Sequence, residues 1–293
     1  MTRNINIWFL ACRPKTLSAS LAPVLIGTIM AYETGSIHIF ISIITFLSAL
    51  GIQIGTNLAN DYFDFKNGAD TKKRLGPVRV TQSGLIPSIK VQKAFILVFL
   101  IAILLGIILL IRGGWPILVI GVFAIALGLL YTGGPYPYGY HGLGDIIVLI
   151  FFGPVAVGGT YYLQTLSINF TVILAGFAPG LISMAILTVN NLRDIKSDAA
   201  AGKNTIAVLL GENFARKEYL WAIVIACLIP IFIIPFNPHH LFSLIAVLTI
   251  LPAYPLLIKI INDPVDKRLN NVLAKTSLLL VVYTVLFVIG WSV

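Results

Sequence analysis

Residues 91–111 read VQKAFILVFLIAILLGIILLI, a stretch of 21 residues whose only charge is Lys93. About 20 consecutive apolar residues suffice for a helix to cross the hydrocarbon core of a bilayer. Residues 115–132, WPILVIGVFAIALGLLYT, repeat the pattern after three intervening positions. Because hydrocarbon offers the backbone no hydrogen-bonding partner, apolar runs of this length are typical of helices. This part of the chain therefore predicts two transmembrane helices joined by a tight turn.

The same pattern recurs along the whole chain. Hydrophobic residues make up 58% of the 293 residues and charged residues 11%, whereas a soluble domain carries about 25% charged residues. We predict an all-α integral membrane protein, a single transmembrane domain over residues 1–293 with nine helices in one bundle. The expected spans lie near 16–33, 38–59, 91–111, 115–132, 144–164, 170–190, 217–236, 241–260 and 272–291.

The basic residues predict how the bundle is oriented. With nine spans, one side of the membrane receives the N-terminus and the connections 60–93, 134–143, 191–217 and 259–275, and with them 19 of the 20 Lys and Arg residues. Because cytoplasmic segments carry the excess of Lys and Arg, we expect a cytoplasmic N-terminus and an outer C-terminus. The protein is then a multi-pass protein of the cell (inner, cytoplasmic) membrane. The same bias accounts for the net charge of +9, so no nucleic-acid partner is implied.

Two cytoplasmic segments collect acidic residues. The first is NDYFDFKNGADTKKRLGPVRV at 60–80, and the second is NNLRDIKSDAAAGKNTIAVLLG at 190–211. They follow the second and sixth spans, which run in the same direction. This spacing predicts a parallel pseudo-repeat, with halves at about 16–132 and 144–260 and the ninth span outside them.

Each acidic segment stacks carboxylates on one helical face. Asp61 and Asp64 are three residues apart, and Asp194 and Asp198 are four apart, which are the spacings of helical neighbours. Like charges this close to hydrocarbon need a compensating cation. Nearby Lys and Arg are one source. We favour Mg²⁺, which takes hard oxygen ligands and shares them with a substrate phosphate.

Amide and basic side chains surround these acids and predict a diphosphate site. Arg and Lys donors would bind the phosphate oxygens that the metal leaves free, although any one of them also fits a charge facing lipid headgroups. The apolar tail of the substrate would lie between helices. The expected substrate-binding residues are Asn57, Asn60, Lys72, Lys73, Arg74, Arg79, Tyr138, Asn190, Asn191, Arg193, Lys196 and Lys203.

These motifs resemble a known family. NDxxDxxxGxD at 60–70 followed by RLGPxR at 74–79 resembles the first signature of the UbiA-type intramembrane prenyltransferases, and NNLRDxxxDxxxGKxT at 190–205 resembles the second. The similarity is closest to the menaquinone branch, and it extends to RPKTL at 13–17 and to residues 136–164. Many members have a third aspartate four residues after the second, where this chain has Gly68. Asp70 is therefore the least secure of the expected metal ligands.

The resemblance implies a reaction. A polyprenyl group would pass from its diphosphate to 1,4-dihydroxy-2-naphthoate with loss of CO₂, giving demethylmenaquinone. Asp61, Asp64, Asp194 and Asp198 would be the catalytic metal ligands, with two Mg²⁺ ions bridging the diphosphate. The site would face the cytoplasm, and no obligate protein partner is evident. The alternatives are another aromatic acceptor, such as 4-hydroxybenzoate or homogentisate, and a divalent-cation-coupled transporter.

Some features stay open at this stage. Tyr140 and His141 fit an acceptor pocket or an interfacial aromatic belt, and Asp145 fits a helix N-terminus. Gln53 and Gln164 are polar residues in spans, which also join helices without a catalytic role. Prenyl chain length and oligomeric state are not readable from the sequence.

Overall fold

The computed structural model describes residues 2–69 and 75–293, with side chains from Asn6 onward. Within these residues every regular element is helical, as expected for an all-α protein. The α-helices are α1 Thr2–Cys12, α2 Ser18–Tyr32, α3 Ile39–Lys66, α4 Ser88–Gly113, α5 Trp115–Leu130, α6 Gly144–Ile150, α7 Ala156–Thr165, α8 Phe170–Ala200, α9 Ile206–Leu210, α10 Glu212–Ile233, α11 Ile250–Asn262 and α12 Leu269–Trp291.

Seven helical segments in the described part are long and apolar enough to cross a membrane. An eighth arises if α2 is counted together with the preceding helical segment, from which it is bent by 55°. The remaining expected span, 115–132, is the 16-residue α5. A helix of that length reaches about 24 Å at 1.5 Å per residue, which is short of a full hydrocarbon core. Seven to eight candidate spans are therefore present, and α5 is shorter than expected.

The acidic pairs lie on helical continuations of the second and sixth spans, as their spacing of three and four residues predicted, although the segments as a whole were expected to be cytoplasmic loops. α3 continues to Lys66 and α8 to Ala200, well past the expected span ends at 59 and 190. The apolar signal stops there, but no Gly or Pro interrupts the helix until Gly68 and Gly202, which adopt positive φ angles of 69° and 73°. Glycine in this conformation commonly ends a helix. The acidic residues thus lie on the last turns of two long helices.

The fifth span is broken in its middle. α6 and α7 are joined by a π-helical segment, Phe151–Val155, in which Gly153 has φ −114° and ψ −113° and Pro154 lacks a backbone donor. The segment packs directly on α8, since a Cβ on Gly180 would lie 2.3 Å from the Leu149 carbonyl oxygen and 2.9 Å from Gly153 Cα. Small residues allow such backbone approach between membrane helices. The contact holds the fifth span against the helix that carries the second acidic motif.

Several polar segments that connect the helices lie together at one end of the bundle. Asn57 Nδ2 donates to the Cys12 carbonyl at 3.0 Å, and the Asn204 amide donates to the Tyr140 carbonyl at 2.9 Å. At the other end, Arg112 donates to the carbonyl of Gln164 at 2.9 Å. The N-terminal turn, both acidic motifs and the 131–143 connection therefore meet at one end, away from Arg112.

Candidate active site

A cavity of about 800 Å³ opens where α3 and α8 end. Its deeper wall is apolar and comes from α4, α5 and the fifth span, with residues such as Leu109, Ile117 and Phe152. The polar and charged residues at the helix ends that line it include Arg13, Asn57, Asn60, Asp64, Arg79, Tyr138, Tyr140, Asn190, Asn191, Asp194, Asp198 and Lys203. The cavity thus has a charged end, formed by these polar and charged residues, and a long apolar interior. We call the charged end the charged head.

Asp64 lies at the centre of the charged head. Its side chain is 2% exposed, and its carboxylate accepts hydrogen bonds from Arg79 Nη2 at 3.0 Å, Lys203 Nζ at 2.8 Å and the Tyr140 hydroxyl at 2.8 Å. These three donors come from three different connections. A buried carboxylate costs free energy unless it is paired and hydrogen-bonded, and Asp64 satisfies both conditions. It brings together residues far apart in the sequence.

Asp61 holds the loop that follows α3. Its two oxygens accept from the backbone amides of Val80 at 3.2 Å and Thr81 at 3.1 Å. Asp61 is buried and is not among the residues that line the cavity. In this structure its carboxylate fixes the backbone next to Arg79, and so supports the cation that binds Asp64.

Asp194 is held by its neighbour Arg193. Arg193 Nε donates to Asp194 Oδ1 at 2.8 Å, and Nη2 forms an ion pair with Oδ2. The Arg193 side chain is 1% exposed and does not line the cavity, whereas Asp194 does. The structure therefore places Arg193 behind the acid, where it orients Asp194. It does not place the guanidinium in the cavity wall, where we expected it to bind phosphate.

Two further groups complete the hydrogen bonds of Arg193. Nη2 donates to Asn190 Oδ1 at 2.8 Å, and Nη1 donates to Asn270 Oδ1 at 2.8 Å. Asn270 Nδ2 in turn donates to the Leu75 carbonyl at 2.9 Å. Sequence reasoning missed Asn270, because it lies on α12, outside both motifs.

The remaining residues of the second motif divide between cavity and surface. Asp198 and Lys203 line the cavity, and Lys203 Nζ also lies 4.6 Å from the centre of the Tyr140 ring. Lys196 is exposed and does not line the cavity. Lys203 is thus the lysine of this motif that faces the charged head.

The expected amides have different partners. Asn57 Nδ2 donates to Cys12 and Thr16 of the N-terminal turn, and Asn60 Oδ1 accepts from the Thr132 hydroxyl at 2.9 Å. Asn190 binds Arg193, while Asn191 is buried. All four amides line the cavity, so they place polar atoms on its wall and also tie neighbouring elements to α3 and α8.

Tyr138 and Tyr140 lie on a short 3₁₀ helix and both line the cavity. Burial raises the pKa of the Tyr138 phenol above its ordinary value, so this group stays neutral at physiological pH. His141 is exposed and stacked on Tyr136. Of the residues left open by the sequence, Tyr140 is therefore the one that contacts a motif acid.

Other expected residues lie away from the charged head or beyond what is described. Asp145 is buried at the start of α6 and does not line the cavity. Gln164 joins helices by accepting from the His38 amide at 2.7 Å. Asp70, Lys72, Lys73 and Arg74 lie outside the described residues. Arg13, which sequence reasoning did not select, lines the cavity and was signalled only by the RPKTL motif.

Comparison with protein families agrees with this architecture. The family model described as the UbiA prenyltransferase family matches residues 20–279. The chain belongs to the UbiA prenyltransferase family. The match spans both acidic motifs, most of the cavity wall and the first half of α12, so the family resemblance predicted from the motifs is confirmed over nearly the whole chain.

Two relatives are similar over almost their full length. A protein of Escherichia coli (strain K12) named 1,4-dihydroxy-2-naphthoate octaprenyltransferase is 37% identical over 298 residues, which covers 97% of this chain and 94% of that protein. A protein of the same name from Haemophilus influenzae is 33% identical over 99% of this chain and 97% of its own length.

A solved structure shares the fold. A UbiA homolog from Archaeoglobus fulgidus bound to GPP and Mg²⁺ superposes with a TM-score of 0.68 and covers 98% of this chain and 100% of its own, at 13% sequence identity. At that identity the likeness concerns the fold.

The donor set of the charged head fits Mg²⁺. Asp64, Asp194 and Asp198 bring hard carboxylate oxygens from two helices to one cavity. Within residues 2–69 and 75–293, no three Asp, Glu, His or Cys side chains converge tightly enough to enclose an ion by themselves. Mg²⁺ is usually held by one or two carboxylates together with substrate phosphates. The described residues thus fit a metal shared with a phosphate-bearing substrate.

Proposed function

We propose that this protein is a Mg²⁺-dependent prenyltransferase that moves a polyprenyl group from polyprenyl diphosphate to 1,4-dihydroxy-2-naphthoate. The products are CO₂, diphosphate and demethylmenaquinol, the dihydroxynaphthalene form from which a separate two-electron oxidation gives demethylmenaquinone. The observation that carries the proposal is one cavity whose head holds Asp64, Asp194 and Asp198 beside Arg13, Arg79 and Lys203, and whose interior is mainly apolar. The names of the two bacterial relatives support the naphthoate acceptor.

In this proposal the basic residues bind the leaving group. Arg79 and Lys203, which contact Asp64, would donate hydrogen bonds to diphosphate oxygens. Asp64, Asp194 and Asp198 would hold Mg²⁺, which would supply positive charge to offset that of the departing diphosphate. Arg193 would keep Asp194 oriented from behind. The charged head would therefore hold the diphosphate before and after the C–O bond breaks.

The apolar wall would protect the reacting carbon. Breakage of the C–O bond leaves its electron pair on the diphosphate and an allylic cation on the prenyl group, which water would trap. A cavity lined by side chains such as Ile117 and Phe152 excludes water. The ring carbon bearing the carboxylate then forms the new C–C bond, and loss of CO₂ returns an electron pair to the ring. No strong base is needed to remove a ring proton.

The proposal includes the topology of the chain. We place nine spans in the membrane, with α5 as a short fourth span and the charged head at the cytoplasmic end. The Lys and Arg distribution and the gathering of residues 12–16, 57–69, 75–81, 131–143 and 190–205 at one end support this orientation. The pseudo-repeat of residues 16–132 and 144–260 belongs to the same proposal, since α3 and α8 each end in an acidic motif at this cavity.

The acceptor assignment is tested by direct competition. Purified protein with Mg²⁺ and polyprenyl diphosphate is given 1,4-dihydroxy-2-naphthoate, 4-hydroxybenzoate and homogentisate together, and the products are separated by mass. We expect prenylated and decarboxylated naphthalene product alone. Prenylation of either benzene acceptor in its place would refute the assignment within the family.

A further inference from the structure

We propose that Asn270, on α12, is a positioning residue that ties the two acidic motifs together. The inference deepens the proposed function and rests on it for its kinetic readout. Asn270 Oδ1 accepts from Arg193 Nη1 at 2.8 Å, and Asn270 Nδ2 donates to the Leu75 carbonyl at 2.9 Å. Asparagine is suited to this task because its amide offers both an acceptor and donors.

We call the two hydrogen bonds of Asn270, to Arg193 and to the Leu75 carbonyl, the Asn270 bridge. On one side the bridge supports the second motif. Arg193 is buried and holds both oxygens of Asp194. A buried guanidinium keeps one geometry only when its N–H groups are satisfied. Asn270 satisfies Nη1, so it limits the rotation of Arg193 and, through Arg193, of the Asp194 carboxylate that lines the cavity.

On the other side the bridge supports the first motif. Leu75 begins the segment Leu75–Thr81, which returns to α3 through two contacts. Arg79 binds Asp64, and the Val80 and Thr81 amides bind Asp61. Asn270 fixes the start of this segment, while Asp61 and Asp64 fix its end. A path of hydrogen bonds and backbone therefore runs from Asp194 through Arg193, Asn270 and residues 75–79 to Asp64, by way of a helix that carries neither motif.

This arrangement matters because the two motifs belong to different helices. A diphosphate held between α3 and α8 requires Asp64 and Asp194 at a constant separation, since small displacements of positioned groups are costly in catalysis. Asn270 connects the two sides without contacting the substrate. It should therefore affect the binding of metal and diphosphate more than the chemical step.

The kinetic test compares two neighbouring asparagines. Asn270→Ala removes both bridge contacts, whereas Asn271→Ala changes an exposed side chain one position along α12. For Asn270→Ala we expect the half-saturating Mg²⁺ concentration and the KM for polyprenyl diphosphate to rise roughly tenfold, the size expected for loss of one hydrogen bond to a charged group. The kcat should change less, and Asn271→Ala should match the wild type. Equal Mg²⁺ and KM values in the two variants would overturn the proposal.

A second readout needs no turnover. Trypsin cleavage at the Arg79–Val80 bond is followed without substrate by mass spectrometry. It should be faster in Asn270→Ala and in Asn270→Asp, because both lack the amide donor to Leu75, and unchanged in Asn271→Ala. Wild-type cleavage rates in both Asn270 variants would contradict the bridge.

Thermal unfolding separates positioning from ordinary packing. A lower melting temperature in Asn270→Ala, with unchanged Mg²⁺ dependence and unchanged cleavage, would mean a purely structural residue and would overturn the proposal. If the wild type does not prenylate the naphthoate, the proposed function fails, while the cleavage comparison still decides the bridge.

Discussion

The Asp64 carboxylate accepts hydrogen bonds from side chains of three different connections, whereas the Asp61 carboxylate accepts hydrogen bonds from two backbone amides. At the scale of single residues the two acids of the first motif therefore have different tasks in this structure. Asp64 faces the cavity with Asp194, and Asp61 secures the loop that carries Arg79. The sequence spacing placed both acids on one helical face. It could not show that Asp64 lines the cavity while Asp61 binds the backbone of the following loop.

The first prediction concerns the cavity acids. Asp64→Asn and Asp194→Asn keep the side-chain shape and remove the charge that offsets Mg²⁺, so each should lower kcat/KM by about 100-fold or more. The rate is measured with Mg²⁺, polyprenyl diphosphate and the naphthoate. Asp266→Asn serves as the control, because Asp266 is a solvent-exposed acid paired with Arg268. Wild-type turnover in Asp64→Asn would remove this residue from the site.

The second prediction isolates one hydroxyl. Tyr140→Phe loses the hydrogen bond to Asp64 and keeps the ring beside Lys203, so kcat/KM should fall roughly tenfold, as expected for one hydrogen bond to a charged group. Tyr136→Phe makes the same change on an exposed tyrosine and should leave the rate unaltered. If both variants were equally active, the Tyr140 contact would have no functional weight.

The direction of the Arg193 side chain could not be predicted from the sequence. Its position beside Asp194 in the sequence predicted a phosphate ligand, yet its side chain is buried against Asn190 and Asn270. The direction of an arginine side chain depends on neighbours from other helices. Asn270 is 77 residues away, and no motif announced it.

At the scale of elements, hydropathy located the spans but not the ends of the long helices. α3 and α8 extend beyond their apolar runs because polar and acidic residues continue the helix after the membrane signal stops. The break at Gly153–Pro154 was also unforeseen, since the apolar run of the fifth span is unbroken. Both features shape the site. The extensions carry the acids, and the break lets the fifth span pack on α8.

The third prediction tests that packing. Gly180→Ala places a methyl group 2.3 Å from the Leu149 carbonyl oxygen, and overpacking of this kind typically costs about 1–3 kcal/mol. Its thermal unfolding temperature in detergent should fall. Gly121→Ala is the matched change, since its Cβ position has no neighbour within 4 Å other than the adjoining residues and the backbone of its own helix, and alanine favours a helix over glycine. Unfolding of both variants at the same temperature would contradict the close approach.

At the scale of the whole molecule, composition alone predicted an all-α membrane protein, and the motifs predicted its family. Both predictions are confirmed by the structure and by the family match over residues 20–279. The shape of the cavity could not be predicted, because apolar residues face lipid, neighbouring helices and the cavity alike. Hydropathy does not separate these three surroundings.

The fourth prediction tests the orientation. In a protein whose Cys12 and Cys227 are replaced by alanine, His239→Cys would lie at the proposed outer end and Lys267→Cys at the proposed cytoplasmic end. Both positions are exposed. A membrane-impermeant maleimide should label His239→Cys in intact cells, and Lys267→Cys only after the membrane is opened. The reverse pattern would invert the topology.

The proposed reaction, prenylation of the naphthoate with loss of its carboxyl group, is tested by measuring where the carboxyl carbon goes. Naphthoate labelled at its carboxylate is given to the wild-type protein with Mg²⁺ and polyprenyl diphosphate, and labelled CO₂ and diphosphate are measured in the same reaction. We expect equal amounts of labelled CO₂ and diphosphate to be released while prenylated product accumulates. Release of diphosphate without labelled CO₂, or a prenylated product that retains the label, would contradict the proposed reaction.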